Sequence, residues 1–252
     1  MSARLQTGGR LIDRTKQIGF TWNGKRLHGF QGDTLASALL ANDQMLVGRS
    51  FKYHRPRGVI AAGPEEPNAL MGTGVDGHFE PNQRATTTEL YQGLTSHSQN
   101  HWPSLEFDIG ALNSKLPRFF PAGFYYKTFM YPRAAWKHVF EPIIRKSAGL
   151  GKAPTHKDED TYEYFYAHVD IMIVGGGIAG LAAALTAGQS GASVLLMEQG
   201  VSFGGRAITD GVEIDGKPAA TWVKKTLSAL KKLPNVQIRT RMMGAGVYDH
   251  GY

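Results

Sequence analysis

The stretch Asp170–Gly200, DIMIVGGGIAGLAAALTAGQSGASVLLMEQG, constrains this chain more than any other. Asp170–Val174 is a β-branched apolar run that ends in three glycines. A small-residue helix is expected over Ile178–Gln189, and a second apolar run, Ser193–Met197, leads into Glu198. Continuous apolar runs of this length suit strands buried on both faces of a parallel sheet. The pattern G-x-G-x-x-G falls on Gly175, Gly177 and Gly180. Gly175 allows the tight turn off the strand, Gly177 lets backbone approach a pyrophosphate, and Gly180 lets the helix lie close to the strand. Free N–H groups and the positive dipole end at the helix start favour phosphate. Glu198 lies 18 residues past Gly180, where it can accept bonds from ribose hydroxyls; its charge disfavours the 2′-phosphate of NADP. A lone glycine motif is weak, but strand, helix and acid around it point to a dinucleotide. NAD and FAD share the ADP half that the motif reads, so it does not separate them.

Gly204-Gly205-Arg206 places a second glycine pair just past the acid-bearing strand. It resembles an element near the pyrophosphate of flavoprotein oxidoreductases that bind two dinucleotides, and Arg206 could pair with a phosphate there. The alternative is a glycine turn with a solvent-facing Arg. An amphipathic helix within residues 217–232 and a strand at Val236–Thr240 follow. From Gly175 to the end run 78 residues, and with the run just before it the region holds three expected strands, at 170–174, 193–197 and 236–240. A full dinucleotide domain takes about six. Residues 167–252 are therefore expected to form the first part of an incomplete Rossmann-like NAD/FAD-binding domain, a fragment whose sheet ends on an unpaired edge.

The N-terminal region reads differently. Residues 1–16 are polar and basic, expected as a loose arm. Ile18–Trp22 alternates like a strand, Asn23-Gly24 is a strong type I′ hairpin signal, and Lys25–Phe30 is the returning strand. Asp33 or Thr34 can cap a helix with Leu35, Ala38 and Leu39 on one face. Hairpin then helix is how a β-grasp domain opens. Strands at Ala69–Met71 and Arg84–Thr88 would complete it, giving an α+β domain over 1–94. Residues 95–166 are expected to be an irregular connector packing on a neighbour: Trp102, Phe107, Phe119, Phe120, Phe124, Tyr125, Tyr126, Phe129, Tyr131 and Trp136 crowd it, with prolines between. That density of aromatics is too high for a disordered linker. Lys157–Asp160 reads as a solvated helix start.

Net charge is +7, from 28 basic and 21 acidic residues. The cluster Arg49–Arg57 mixes basic and aromatic side chains, a pattern compatible with nucleic acid, with a phosphate-bearing cofactor or acidic partner, or with a solvated or subunit-facing loop. No nucleic-acid motif accompanies it, so none is expected as a partner, nor is a membrane. Cysteine is absent, which removes disulfides, thiolate nucleophiles and thiolate-held metal. The N-terminus lacks a secretory apolar segment, and a soluble cytoplasmic protein is expected. His54, His97, His101 and His250 are acid–base candidates on paper, but a lone loop histidine is more often structural or solvated; no pair falls at a metal-binding spacing, and no catalytic or metal-ligating residue is assigned.

Taken together, the glycine motif with Gly32–Ala41, Arg49–Gly58, Pro121–Phe129, Ala148–Gly151 and Tyr248–His250 resembles the N-terminal part of the α subunits of heterotetrameric sarcosine oxidases. The resemblance covers almost the whole chain. It implies a ferredoxin-like β-grasp domain, then an NAD-binding domain, then a folate-binding region beyond this chain. It also implies β, γ and δ partner subunits. Sarcosine is demethylated to glycine at FAD on the β subunit, with FMN at the α–β interface. The products are hydrogen peroxide and either formaldehyde or methylene-tetrahydrofolate, so the enzyme serves one-carbon metabolism. Gly175, Gly177, Gly180, Glu198, Gly204, Gly205 and Arg206 are the expected cofactor-binding residues, for NAD, with FAD as the other possibility. The ferredoxin-like domain is expected to hold no iron–sulfur cluster, because the loop Val59–Pro67 has no cysteine. The isolated fragment is expected to be inactive. Two rivals remain: the α-type subunit of an opine, proline or cyanide-forming dehydrogenase, and a non-catalytic assembly module.

Overall fold

The structure, a computed structural model, describes residues 3–119, 123, 129 and 131–249. It is a mixed α/β chain in two compact units: Met1–Thr7 with Ile12–Asp160, and Gly8–Leu11 with Thr161–Tyr252.

The first unit is built on a five-stranded sheet in the order β2-β1-β7-β5-β6. Strand β1 (Asp13–Trp22) and β2 (Lys25–Gln31) form the hairpin, with Trp22 opposite Lys25. Asn23 and Gly24 both take positive φ, 46° and 79°, as a type I′ turn requires. Helix α1 (Leu35–Ala41) is capped by Thr34, whose Oγ1 accepts the Ser37 N–H while Ser37 Oγ accepts the Thr34 N–H. Asp33 is the second anchor. Its buried carboxylate accepts the Phe30 N–H, the Ser37 hydroxyl and both terminal nitrogens of Arg4. Arg4 thus pins the chain start to α1, and residues 13–16 join β1 across an irregularity in register; the loose arm expected over 1–16 is corrected at these points. Leu35, Ala38 and Leu39 face inward as the periodicity predicts, and pack with Phe20, Trp22, Val47, Met71, Leu90 and Leu94. Burying each large side chain of this kind stabilises the unit by roughly 1.5–3 kcal/mol.

Three placements differ from expectation. Strand β5 spans Leu70–Thr73 and β6 Glu80–Arg84, so the residues after Arg84 turn rather than extend. The region after residue 94 opens with a strand, β7 (Thr95–Ser98), in the middle of the sheet, parallel to β1 and antiparallel to β5. Its sequence, TSHS, carries no apolar alternation. The inward positions are instead small hydroxyls: Ser96 is buried and donates to the Thr21 carbonyl at 2.8 Å. Lys157–Asp160 forms no helix.

Short strands β3 (Gly48–Arg49) and β4 (Pro56–Arg57) pair around the basic aromatic loop. Two groups fasten this loop to residues 102–110. Arg49 donates to the carbonyls of Leu105, Glu106 and His54. His54 Nδ1 lies 2.6 Å from the buried Asp108 carboxylate, which also accepts the Trp102 and Gly110 N–H groups. Trp102, Phe107, Tyr131 and Trp136 are exposed. Phe120, Pro121, Phe124, Tyr125, Tyr126 and His250 lie outside the described residues.

The second unit holds a three-stranded parallel sheet in the order β12-β9-β8. The strands are β8 (Ile171–Val174), β9 (Val194–Glu198) and β12 (Val236–Thr240), each within a residue of its expected place; a short antiparallel pair, β10 (Glu213–Ile214) and β11 (Lys217–Pro218), lies between β9 and β12 in sequence. Val194 pairs with both Ile171 and Val236. Two long helices flank the sheet, Ile178–Gln189 and Ala219–Leu230. Leu181, Ala184, Val194, Leu196, Val223 and Leu230 make the core. Strand β8 is at the sheet's edge, and Val174 is 65% exposed. Among the described residues no helix is long and apolar enough to cross a membrane.

Candidate functional site

The site sits where β8 and β9 end. The chain leaves β8 at Gly175, with φ at 104°, a value L-residues rarely adopt. It enters the helix Ile178–Gln189 through Gly177, which caps the helix without a side chain. The first-turn N–H groups thus take no side-chain cap and point away from the helix body. A Cβ on Gly177 would meet nothing within 4 Å, and the same is true at Gly175. Gly180 is the opposite case. Its Cβ would collide with the Gly175 carbonyl oxygen, so helix and loop can approach only with glycine there.

Gly176, the unassigned middle residue of the three, is closed as well, here by a side chain rather than by backbone. A Cβ there would run into the Phe203 ring. Its N–H donates to Glu198 Oε2 at 2.7 Å, and its carbonyl accepts the Gly204 N–H at 2.8 Å. The spacing rule names only alternate glycines, so nothing in the motif marked this one. Glu198 ends β9 as expected, but both of its oxygens are engaged: Oε1 accepts the Gly200 N–H at 2.7 Å. A carboxylate offers about four acceptor positions, so capacity for a ribose hydroxyl remains beside these two bonds.

The second glycine pair meets the first. Gly204 takes φ 108° and Gly205 φ 52°, and a Cβ on Gly205 would lie 3.5 Å from the Gly177 Cα. Gly175, Gly177, Gly204, Gly205 and Glu198 therefore converge on one loop cluster, with Gly180 behind it. Arg206 does not join them. Its side chain is 86% exposed and its Nε donates to Asp210 at 3.2 Å, one turn along the short helix Arg206–Thr209. At the other end of β8, the N–H and hydroxyl of Ser193 hold the Asp170 carboxyl below its usual range.

In the first unit, His101 Nε2 lies 2.7 Å from the Ser98 hydroxyl, and His97 is exposed on β7. Among the described residues one group of metal-capable side chains gathers: His78 Nε2 lies 3.1 Å from Asp160 and 3.6 Å from Asp158. These come from segments about 80 residues apart in sequence, which is why spacing did not suggest them; the imidazole and the two carboxylates contact one another directly.

Comparison with known proteins finds likenesses to redox proteins in both units. Residues 15–101 match the family described as 2Fe-2S iron-sulfur cluster binding domain. Residues 170–242 match FAD dependent oxidoreductase. The chain is also similar to curated relatives named sarcosine oxidase subunit alpha. It is 55% identical to that of Rhizobium meliloti (strain 1021) over 95% of this chain, and 32% identical to that of Corynebacterium sp. (strain P-1) over 96%. It spans 24% and 20% of those two relatives' lengths. Among solved structures, L-proline dehydrogenase from P. horikoshii shares the fold, with a TM-score of 0.54 at 21% identity over all of this chain and 37% of that one.

The first match corrects the cofactor expectation. Sequence reasoning took the N-terminal domain to have no iron–sulfur cluster and put NAD first; the domain instead matches a 2Fe-2S cluster-binding family, and the second unit matches an FAD family. The absence of cysteine from the chain removes the usual thiolate ligands, yet the expected ferredoxin-like region is the one that matches this family.

Proposed function

We propose that this chain is part of an α-type subunit of a sarcosine oxidase complex, and that residues 175–180, 198 and 204–205 cradle the ADP half of a flavin-type dinucleotide. In the reaction, sarcosine, oxygen and water give glycine, formaldehyde and hydrogen peroxide. The N-methyl carbon is oxidised by two electrons that pass through flavin to oxygen. The amine chemistry belongs to a partner subunit, so no catalytic base is assigned in this chain, and the chain alone is inactive. The similarity to curated α subunits supports the enzyme class, and the FAD family match supports the cofactor class.

The observation that carries the cradle is the contrast between neighbouring glycines. Gly175 and Gly177 face open space, whereas Gly176 and Gly180 are closed by Phe203 and by the Gly175 carbonyl. Backbone N–H groups at a helix start, with a bare approach over them, are what a pyrophosphate requires. Glu198 accepts from the ribose. Arg206 leaves Asp210 to reach a phosphate, a rotamer change at an exposed site.

The test uses Gly177→Ala. A Cβ there touches no protein atom, so thermal stability is expected to stay within a degree or two. Binding of FAD or of ADP, by equilibrium dialysis, is expected to weaken by tenfold or more. Unchanged affinity in a folded variant would remove the cradle. Mass spectrometry of nucleotides released on denaturing the parent chain distinguishes FAD from NAD. NAD alone would replace the flavin assignment.

A further inference from the structure

Outside the glycine cradle, the loop from Gly58 to Ala69 is folded around a single carboxylate. Glu66 is fully buried. Its Oε2 accepts the N–H groups of Ile60 and Ala61, each at 2.7 Å, and its Oε1 accepts the Asn68 N–H at 2.7 Å. Burial pushes this carboxyl up, but the N–H groups of Ala61, Asn68, Ile60 and Ala69 outweigh it and hold the group below its ordinary range. The frame of the loop is separately tied. Asn68 Nδ2 donates to the Gly58 carbonyl, Arg84 Nε to the Glu66 carbonyl, and Thr86 Oγ1 to the Gly63 carbonyl.

A buried charge is tolerated only where donors converge on it. Here the donors are backbone, and two of them are consecutive. Successive N–H groups turned to one side form a concavity that receives anions, as at phosphate and iron–sulfur sites. Because side chains other than Glu66 hold the frame, the concavity does not depend on Glu66 for its whole shape. Its donors are all N–H, so it selects for negative charge and rejects cations. The reach of Glu66 beyond Cβ sets the size of what fits: a one- or two-carbon carboxylate.

We propose that the Gly58–Ala69 loop is an anion-binding nest, occupied in the native chain by its own Glu66 carboxylate and able to take a free small carboxylate when that side chain is removed. The experiment is thermal melting of the 252-residue chain and its Glu66→Ala variant in sodium formate, sodium acetate and sodium chloride at matched ionic strength. The variant is expected to melt well below the parent. Formate is expected to raise its midpoint saturably, beyond chloride, while the parent responds to both salts alike. An equal response of parent and variant to formate, or a variant that melts with the parent, overturns the proposal. Glu66→Gln keeps the shape but turns one acceptor into a donor facing N–H groups; it is expected to melt below the parent, and parity would also overturn it. Should Glu66→Ala fail to fold, amide exchange in the parent decides. The N–H groups of Ile60, Ala61 and Asn68 are expected to exchange at least tenfold slower than unstructured amides, and exchange at the unstructured rate overturns the nest.

Discussion

The two units solve the burial of a sheet in different ways. In the first, five mostly antiparallel strands fold over one short helix, and Trp22, Leu35, Leu39, Met71 and Leu94 are buried within the unit itself. Its buried carboxylates are answered too: Asp33, Glu66 and Asp108 each find several donors. In the second, Val194–Met197 of β9 is buried while β8 beside it leaves Met172 and Val174 exposed. An antiparallel sheet with a helix on one face can be complete at small size. A parallel sheet needs cover on both faces and a partner on each edge. The first unit thus closes its sheet over α1 within itself, and the second leaves apolar side chains of an edge strand exposed.

The largest expected effect tests that separation. Gly180→Ala drives a Cβ into the Gly175 carbonyl and is expected to cost the second unit about 3 kcal/mol. Amide exchange should accelerate across β8, β9 and β12 while β1 and β7 keep their protection. Equal acceleration in both units would break the comparison. A smaller effect belongs to the first unit alone. Burial pushes Asp108 up, but the His54 ring and the N–H groups of Trp102 and Gly110 hold it below its ordinary value of 3.8. The depressed carboxyl stabilises the folded state above about that pH, and the contribution is lost as pH falls through the lower folded value. Melting of β1 and β7 followed from pH 7 to pH 2 should therefore drop more steeply in the parent than in Asp108→Asn, which starts lower. Parallel curves would show that the pair carries no linkage. The smallest effect is at the cap: Thr34→Ala should cost about 1 kcal/mol in urea denaturation, again without moving the exchange of β8.

Local chemistry was legible in the sequence where one residue type decides one geometry. Asn23-Gly24 could make only a few turns and made the expected one. The apolar runs of β8 and β9 and the alternation of β12 read correctly, because hydrophobic period is a direct record of which face is covered. Strand β7 was not legible: it is central, yet its inward Ser96 answers a carbonyl of β1 rather than an apolar layer, and hydroxyls carry no period. Long-range polar anchoring was equally hidden. Neither the Arg4–Asp33 latch nor the reach of Asp108 to His54 follows from spacing, since each joins segments brought together only by the fold. At the candidate site the motif identified Gly175, Gly177 and Gly180, but Gly176 is required by Phe203, a contact made by the loop after the next strand. Arg206 could be marked as a cation near glycines, whereas its direction was set by Asp210, four residues on.

The paired fastenings of the basic loop answer to different conditions. The guanidinium of Arg49 is held by three backbone carbonyls, and among the described residues no carboxylate takes part in its bonds. The His54–Asp108 contact beside it depends on a carboxylate that acid can neutralise. As the solution is acidified, the joint between residues 49–57 and 102–110 should therefore loosen in one place and stay riveted in the other.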